Sequence, residues 1–198
     1  MKRLAFFILV AAACGVNSDR GSADAAVDAA VHGTFAAQGM YPTGVSVAGG
    51  GISPIAIALG DLNGDGKPDV AVANTSAFTD AVLLNTGTGT LAAPVEYSVG
   101  SSNASVAVGD YNGDGKLDLV TTFGLRLNDG SGNFTMLGGS HGAGGRGLAP
   151  ADLDGDGKLD VVGANGTSSV SVHLGHGDGT FSASVTYPTG LDPLPWRV

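Results

Sequence analysis

The 198-residue chain carries one cysteine, so no intrachain disulfide can staple its fold. Basic residues are scarce too: 9 Lys and Arg stand against 18 Asp and Glu, for a net charge of −9. Nothing offers the clustered cations that release counterions from a phosphate backbone, which argues against a nucleic-acid partner. Helical periodicity is nearly absent, and beyond residue 13 no apolar run approaches the roughly 20 residues of a membrane-spanning helix. What the chain does have is 34 glycines and short runs of Val, Ile, Leu and Thr, the pattern of many short strands joined by tight turns.

The first residues differ from the rest. Lys2 and Arg3 precede an apolar run from Leu4 to Ala13 that ends in small residues, which reads as a signal peptide over 1–13. Ala11-Ala12-Ala13-Cys14 resembles the lipobox of bacterial lipoproteins, making Cys14 the candidate lipidation site, although Ala11 departs from the usual leucine. Residues 14–32 are mostly Ala, Asp, Ser and Gly without an aromatic, as expected of a tether. The predicted location is therefore outside the cytoplasm: a bacterial cell-envelope lipoprotein, attached to the outer membrane only through Cys14, or a secreted protein.

From residue 33 onward the chain repeats itself. Asp61-Leu-Asn-Gly-Asp-Gly-Lys-Pro-Asp69, Asp110-Tyr-Asn-Gly-Asp-Gly-Lys-Leu-Asp118 and Asp152-Leu-Asp-Gly-Asp-Gly-Lys-Leu-Asp160 align without gaps and start 49 and 42 residues apart. These windows hold 10 of the 18 acidic residues. Alternating apolar residues precede each loop, and the first two are Ile55, Ile57 and Leu59, then Val106 and Val108, which predicts half-buried strands. After each loop comes a glycine turn: Asn85-Thr-Gly-Thr-Gly-Thr-Leu91, Asn128-Asp-Gly-Ser-Gly-Asn-Phe134 and Gly175-His-Gly-Asp-Gly-Thr-Phe181, with a partial copy at Gly33-Thr34-Phe35. Tyr41, Tyr97 and Tyr187 recur six residues beyond Phe35, Leu91 and Phe181, at positions suited to packing between repeats. One period thus holds about four short strands, the size of a propeller blade.

The pairing of D-x-[ND]-G-D-G-x-x-D with G-x-G-x-F closely resembles the FG-GAP/VCBS repeats of integrin α-subunit propellers and exported bacterial proteins, over 33–198. The resemblance implies an all-β propeller with four-stranded antiparallel blades, the acidic loop between the first two strands of each, and one Ca²⁺ per loop. Oxygens at loop positions 1, 3, 5 and 9, with the position-7 carbonyl, suit a hard cation that takes six to eight oxygen ligands. The ligand sets are Asp61, Asn63, Asp65, Lys67 (carbonyl) and Asp69; Asp110, Asn112, Asp114, Lys116 (carbonyl) and Asp118; and Asp152, Asp154, Asp156, Lys158 (carbonyl) and Asp160. An EF-hand would need an acid at position 12, where Val72, Thr121 and Gly163 stand. The bland alternative is three acidic hairpin turns without metal.

Other motif matches carry little. Gly138-Gly-Ser-His-Gly142 fits a nucleophile elbow and Gly142-Ala-Gly-Gly-Arg-Gly147 a dinucleotide fingerprint, but neither has the strand–turn–helix setting that its chemistry requires. With no catalytic constellation, the chain reads as a non-catalytic interaction module, for adhesion or for binding a protein or glycan. The alternatives are an accessory propeller of an exported polysaccharide- or phospholipid-degrading enzyme, and a structural spacer. Leu91 to Asp110 is 19 residues and Phe134 to Asp152 is 18, so another acidic loop falls due at 199 or 200. The expected ring is three blades plus part of a fourth, incomplete through truncation or closed by self-association through open blade edges.

Overall fold

The computed structural model describes residues 42–43, 53–101, 104–137, 146–165 and 168–190, all within the compact unit Tyr41–Val198. Every regular element among them is a strand. The first blade is β1 (Pro54–Gly60), β2 (Asp69–Asn74), β3 (Thr79–Leu83) and β4 (Val95–Ser98). The second is β5 (Val106–Gly109), β6 (Asp118–Thr121), β7 (Gly124–Asn128) and β8 (Phe134–Met136). The third is β9 (Leu148–Ala151), β10 (Asp160–Asn165), β11 (Ser169–His173) and β12 (Val185–Pro188). Each forms a four-stranded antiparallel sheet with its strands side by side in chain order. This is the blade architecture that the repeat predicts. The signal peptide, Cys14, the tether, the partial unit with Tyr41 and the elbow-like Gly138–Gly142 lie outside the described residues.

Strand register explains how the blades stack. In the first blade Leu59, Val70 and Leu83 stand opposite one another on one face, and Ala58, Ala71 and Val82 on the other. We call the face toward the preceding blade leading and the face toward the following blade trailing. The trailing face of blade 1 and the leading face of blade 2 form one core from Leu62, Ala71, Ala73, Val82, Val106, Leu119 and Phe134. A second core joins Ala107, Tyr111, Val120 and Leu125 of blade 2 to Val161 of blade 3. A third cluster, Val72, Ala81 and Leu83, lies on the leading face of blade 1.

Alternation predicts half-buried strands, yet β6 is buried at every position, because a blade lies against each of its faces. A strand covered on both sides has no solvent face to keep polar, and Leu119 and Val120 accordingly point to opposite cores. Full burial of a side chain such as Leu62 or Leu119 is worth about 1.5–3 kcal/mol, so each inter-blade core contributes heavily to the fold. Close approach is made possible by glycine. A Cβ on Gly60 would lie 2.6 Å from Leu117 Cδ1, and one on Gly109 would lie 2.5 Å from Leu159 Cδ1. The residue before each of these two loops therefore yields its space to a leucine of the next blade.

Candidate metal centre

Each acidic loop runs between the first two strands of its blade, and its carboxylates fold the loop around themselves. In the first loop Gly64 N–H and Asp65 N–H donate to Asp61 Oδ1 at 2.8 and 3.1 Å, while Gly66 N–H donates to Asp61 Oδ2 at 2.8 Å. Asn63 Oδ1 accepts Asp65 N–H, and Asp65 Oδ1 accepts Lys67 N–H. The second loop repeats this around Asp110, Asn112 and Asp114. The third does so around Asp152, Asp154 and Asp156. Gly64 and Gly66 sit at φ of 76° and 81°, a left-handed turn that aims successive amides inward and that L side chains rarely adopt.

Position 9 is a different kind of residue. Asp69, Asp118 and Asp160 are 0–1 % exposed, and each receives two backbone amides. Asp69 accepts Leu62 N–H on Oδ2 at 2.9 Å and Asn85 N–H on Oδ1 at 2.7 Å. Asp118 binds Tyr111 and Asn128 in the same way, and Asp160 binds Leu153 and Gly175. One partner opens the acidic loop and the other opens the glycine turn, so the ninth carboxylate ties the two motifs together. Burial pushes the Asp118 carboxyl up, against the two amides that lower it.

The position-7 lysine makes a second tie. Its ammonium pairs with the position-5 carboxylate, at 3.0 Å for Lys67 and Asp65, 3.4 Å for Lys116 and Asp114, and 2.8 Å for Lys158 and Asp156. Its stem crosses the first glycine of the turn: a Cβ on Gly87, Gly130 or Gly177 would meet the lysine side chain at 2.6, 3.0 or 2.8 Å. The loop and turn recur together because each is built against the other. On this geometry, and on a family match over residues 61–121 and 152–198, the assignment follows. The chain belongs to the FG-GAP-like repeat family.

Among solved structures, the repeat region is similar to one described as the structural basis of specific recognition of non-reducing terminal N-acetylglucosamine by an Agrocybe aegerita lectin. The identity is 22%, the TM-score is 0.47, and the match covers 67% of this chain and 38% of that one. The chain thus spans well under two thirds of that protein's length. A search of curated proteins finds no match.

The predicted ligand positions separate into two groups. In the third FG-GAP-like loop, carboxylate oxygens of Asp152, Asp154 and Asp156 lie within 4.8 Å of one another. Two oxygens on one Ca²⁺ stand at most about 5 Å apart, twice a bond of 2.3–2.6 Å, so these three fit a single ion. Hydrogen bonds hold the position-5 carboxyls below the usual range: for Asp65 and Asp156 chiefly from the lysine ammonium, for Asp114 chiefly from the Lys116 amide. They are therefore charged at neutral pH and attractive to a cation. The ninth carboxylates are buried, with each oxygen already accepting one amide.

Sequence reasoning gave lysine only a carbonyl role and missed its ammonium and stem. The signal was present: lysine occupies position 7 in all three loops, whereas a carbonyl ligand demands no particular side chain. The tyrosine expectation divides. Tyr97 packs between blades, with its ring edge-on to Phe134 at 5.8 Å and its hydroxyl accepting Phe134 N–H at 3.2 Å. Tyr187 is 52% exposed.

Proposed function

We infer that this FG-GAP-like repeat chain is an exported, calcium-stabilised interaction module without catalytic activity of its own. The observation that carries this reading is the convergence of Asp152, Asp154 and Asp156 in a loop whose lysine ammonium and amide hold the Asp156 carboxyl below its usual range. Asp61, Asn63, Asp65 and the Lys67 carbonyl, with their counterparts in the other two loops, would hold one Ca²⁺ each. The ion would supply positive charge that relieves repulsion among carboxylates confined to one turn. Asp69, Asp118 and Asp160 would carry that order into the blade, because the same side chains cap the glycine turns. The position-5 carboxyls of Asp65, Asp114 and Asp156, held below their usual range, are poor general acids at neutral pH, which favours ion holding over proton transfer.

Calorimetric titration with Ca²⁺, beside thermal melts in Ca²⁺ and in EDTA, tests the metal. Three sites and a melting temperature several degrees lower in EDTA are expected; no binding heat together with superimposable melts would remove calcium from this reading. Export is read from Cys14, which would anchor the chain to the envelope. Cys14→Ala should then move the protein from the membrane fraction to the soluble one. A glycan array probed with and without Ca²⁺ separates a glycan ligand from a protein one.

A further inference from the structure

An asparagine followed by glycine is open to attack on its side-chain amide, because glycine puts no Cβ in the way of its own backbone nitrogen. The chain has this pair three times, at Asn63-Gly64, Asn112-Gly113 and Asn165-Gly166, and the first two occupy positions 3 and 4 of acidic loops. There the glycines are exposed and the asparagines half-buried, within reach of water. The third loop carries Asp154-Gly155 at the same place.

The folded loop holds both reacting groups elsewhere. Gly64 N–H donates to Asp61 Oδ1 at 2.8 Å, and Gly113 N–H donates to Asp110 Oδ1 at 2.8 Å. The attacking nitrogen must lose this proton first, and a carboxylate acceptor keeps it in place. Asn63 Oδ1 accepts Asp65 N–H at 3.0 Å, and Asn112 Oδ1 accepts Asp114 N–H at 3.0 Å, which ties each side chain to the amide beyond the glycine. We propose that Asn63 and Asn112 are deamidation sites, kept as amides while the hydrogen bonds of the loop hold and converted when the loop opens.

In the open loop the Gly64 nitrogen gives its proton to solvent base and bonds to Asn63 Cγ. The Cγ–Nδ2 bond breaks, and Nδ2 takes up a proton and leaves as ammonia. The five-membered imide that remains adds one water. Opening at Cγ gives aspartate, whereas opening at the main-chain carbonyl gives isoaspartate, with the backbone routed through Cβ and Cγ. Asn112 and Gly113 follow the same course. The two products differ in consequence. Aspartate reproduces the Asp152, Asp154 and Asp156 set of the third loop. Isoaspartate lengthens the backbone by one atom inside the turn where Asp61 collects the amides of Gly64, Asp65 and Gly66, so the turn that serves all three no longer fits.

Peptide mapping by mass, which reads the exchange of an amide for an acid, and isoaspartate-specific methylation follow the conversion at mildly alkaline pH. In urea the three Asn-Gly pairs should convert at like rates. In the folded chain Asn63 and Asn112 should convert about tenfold more slowly or less, the worth of one hydrogen bond to a charged acceptor. Asp61→Ala should speed Asn63 and leave Asn112 slow, and Asp110→Ala should do the reverse, so each loop is the control for the other. Asp61→Asn, which keeps the shape and an acceptor oxygen, should fall between. Equal rates in the folded chain and in urea would overturn the proposal, as would an Asn63 rate indifferent to Asp61→Ala. A rise at both sites in either variant would overturn it too, by assigning the protection to the fold as a whole. Incubation in Ca²⁺ and in EDTA separates this from the metal: protection is expected in both, and protection in Ca²⁺ alone would assign the hold to the ion and not to the loop's own bonds.

Discussion

The interface between blades 1 and 2 is sealed by charge, and that between blades 2 and 3 by rings and leucines. In the first, Arg126 of β7 donates from Nε to Asp80 of β3 at 2.8 Å and from Nη2 to Ser98 O at 2.7 Å, with the guanidinium 5.3 Å from the Tyr97 ring centre. In the second, Tyr111 meets Phe181 at 5.9 Å among Leu125, Leu127, Leu137 and Leu159. Both share the glycine that receives a leucine and the loop carbonyl that accepts from the next turn. The shared parts are spelled by the repeat and make the fold. The differing parts fill the remaining space and give each pair of blades its own lock.

Removing the charge from the first interface should have the largest effect. Arg126 and Asp80 are 4% and 1% exposed, so Arg126→Ala takes the ion-pair partner from a buried carboxylate and is expected to cost about 3–5 kcal/mol in chemical denaturation. The double variant Asp80→Ala/Arg126→Ala should cost clearly less than the sum of the two single changes, because it removes both members of the buried ion pair together. If Arg126→Ala lowered stability no more than a surface change does, the ion pair would be an ornament on an apolar interface and the contrast between the two would vanish.

The sequence makes the shared scaffold plain and leaves the individual locks unreadable. Three gapless acidic loops and their glycine turns mark blade number, strand order and the site of each candidate ion, because those features are local and repeat. The Arg126 and Asp80 pair spans 46 residues and no other blade repeats it, so no spacing announces it. The double engagement of Asp69, Asp118 and Asp160 was hidden differently. A motif of Asp at positions 1, 5 and 9 treats its acids alike, and only burial separates the exposed carboxylates of the loop from the buried one that ties it to the turn.

An intermediate effect is expected where the interfaces share a part but surround it differently. A Cβ at Gly60 would meet Leu117 Cδ1 at 2.6 Å with Val108 at 3.4 Å, and a leucine tip can swing away. At Gly109 the Cβ would meet Leu159 at 2.5 Å and also the Tyr111 ring at 3.3 Å, a rigid group already fixed against Phe181. Gly109→Ala should therefore cost about 1–3 kcal/mol and Gly60→Ala less, as compared by their denaturation midpoints. Equal costs would mean that the ring gives way as easily as the leucine.

The smallest change should also have the opposite sign. Tyr111 is 2% exposed, and its hydroxyl has no hydrogen-bond partner among the described residues, while burial pushes the phenol far up. A buried hydroxyl without a partner forfeits the hydrogen bonds it made to water in the unfolded chain, a penalty of about 1–3 kcal/mol. Tyr111→Phe keeps the ring on Phe181 and removes the penalty, so it should raise the denaturation midpoint by an amount worth about 1 kcal/mol. Loss of stability would instead reveal a water bonded to the hydroxyl within the second interface. That interface would then be sealed by a polar contact after all, and the two blade pairs would differ less than their side chains suggest.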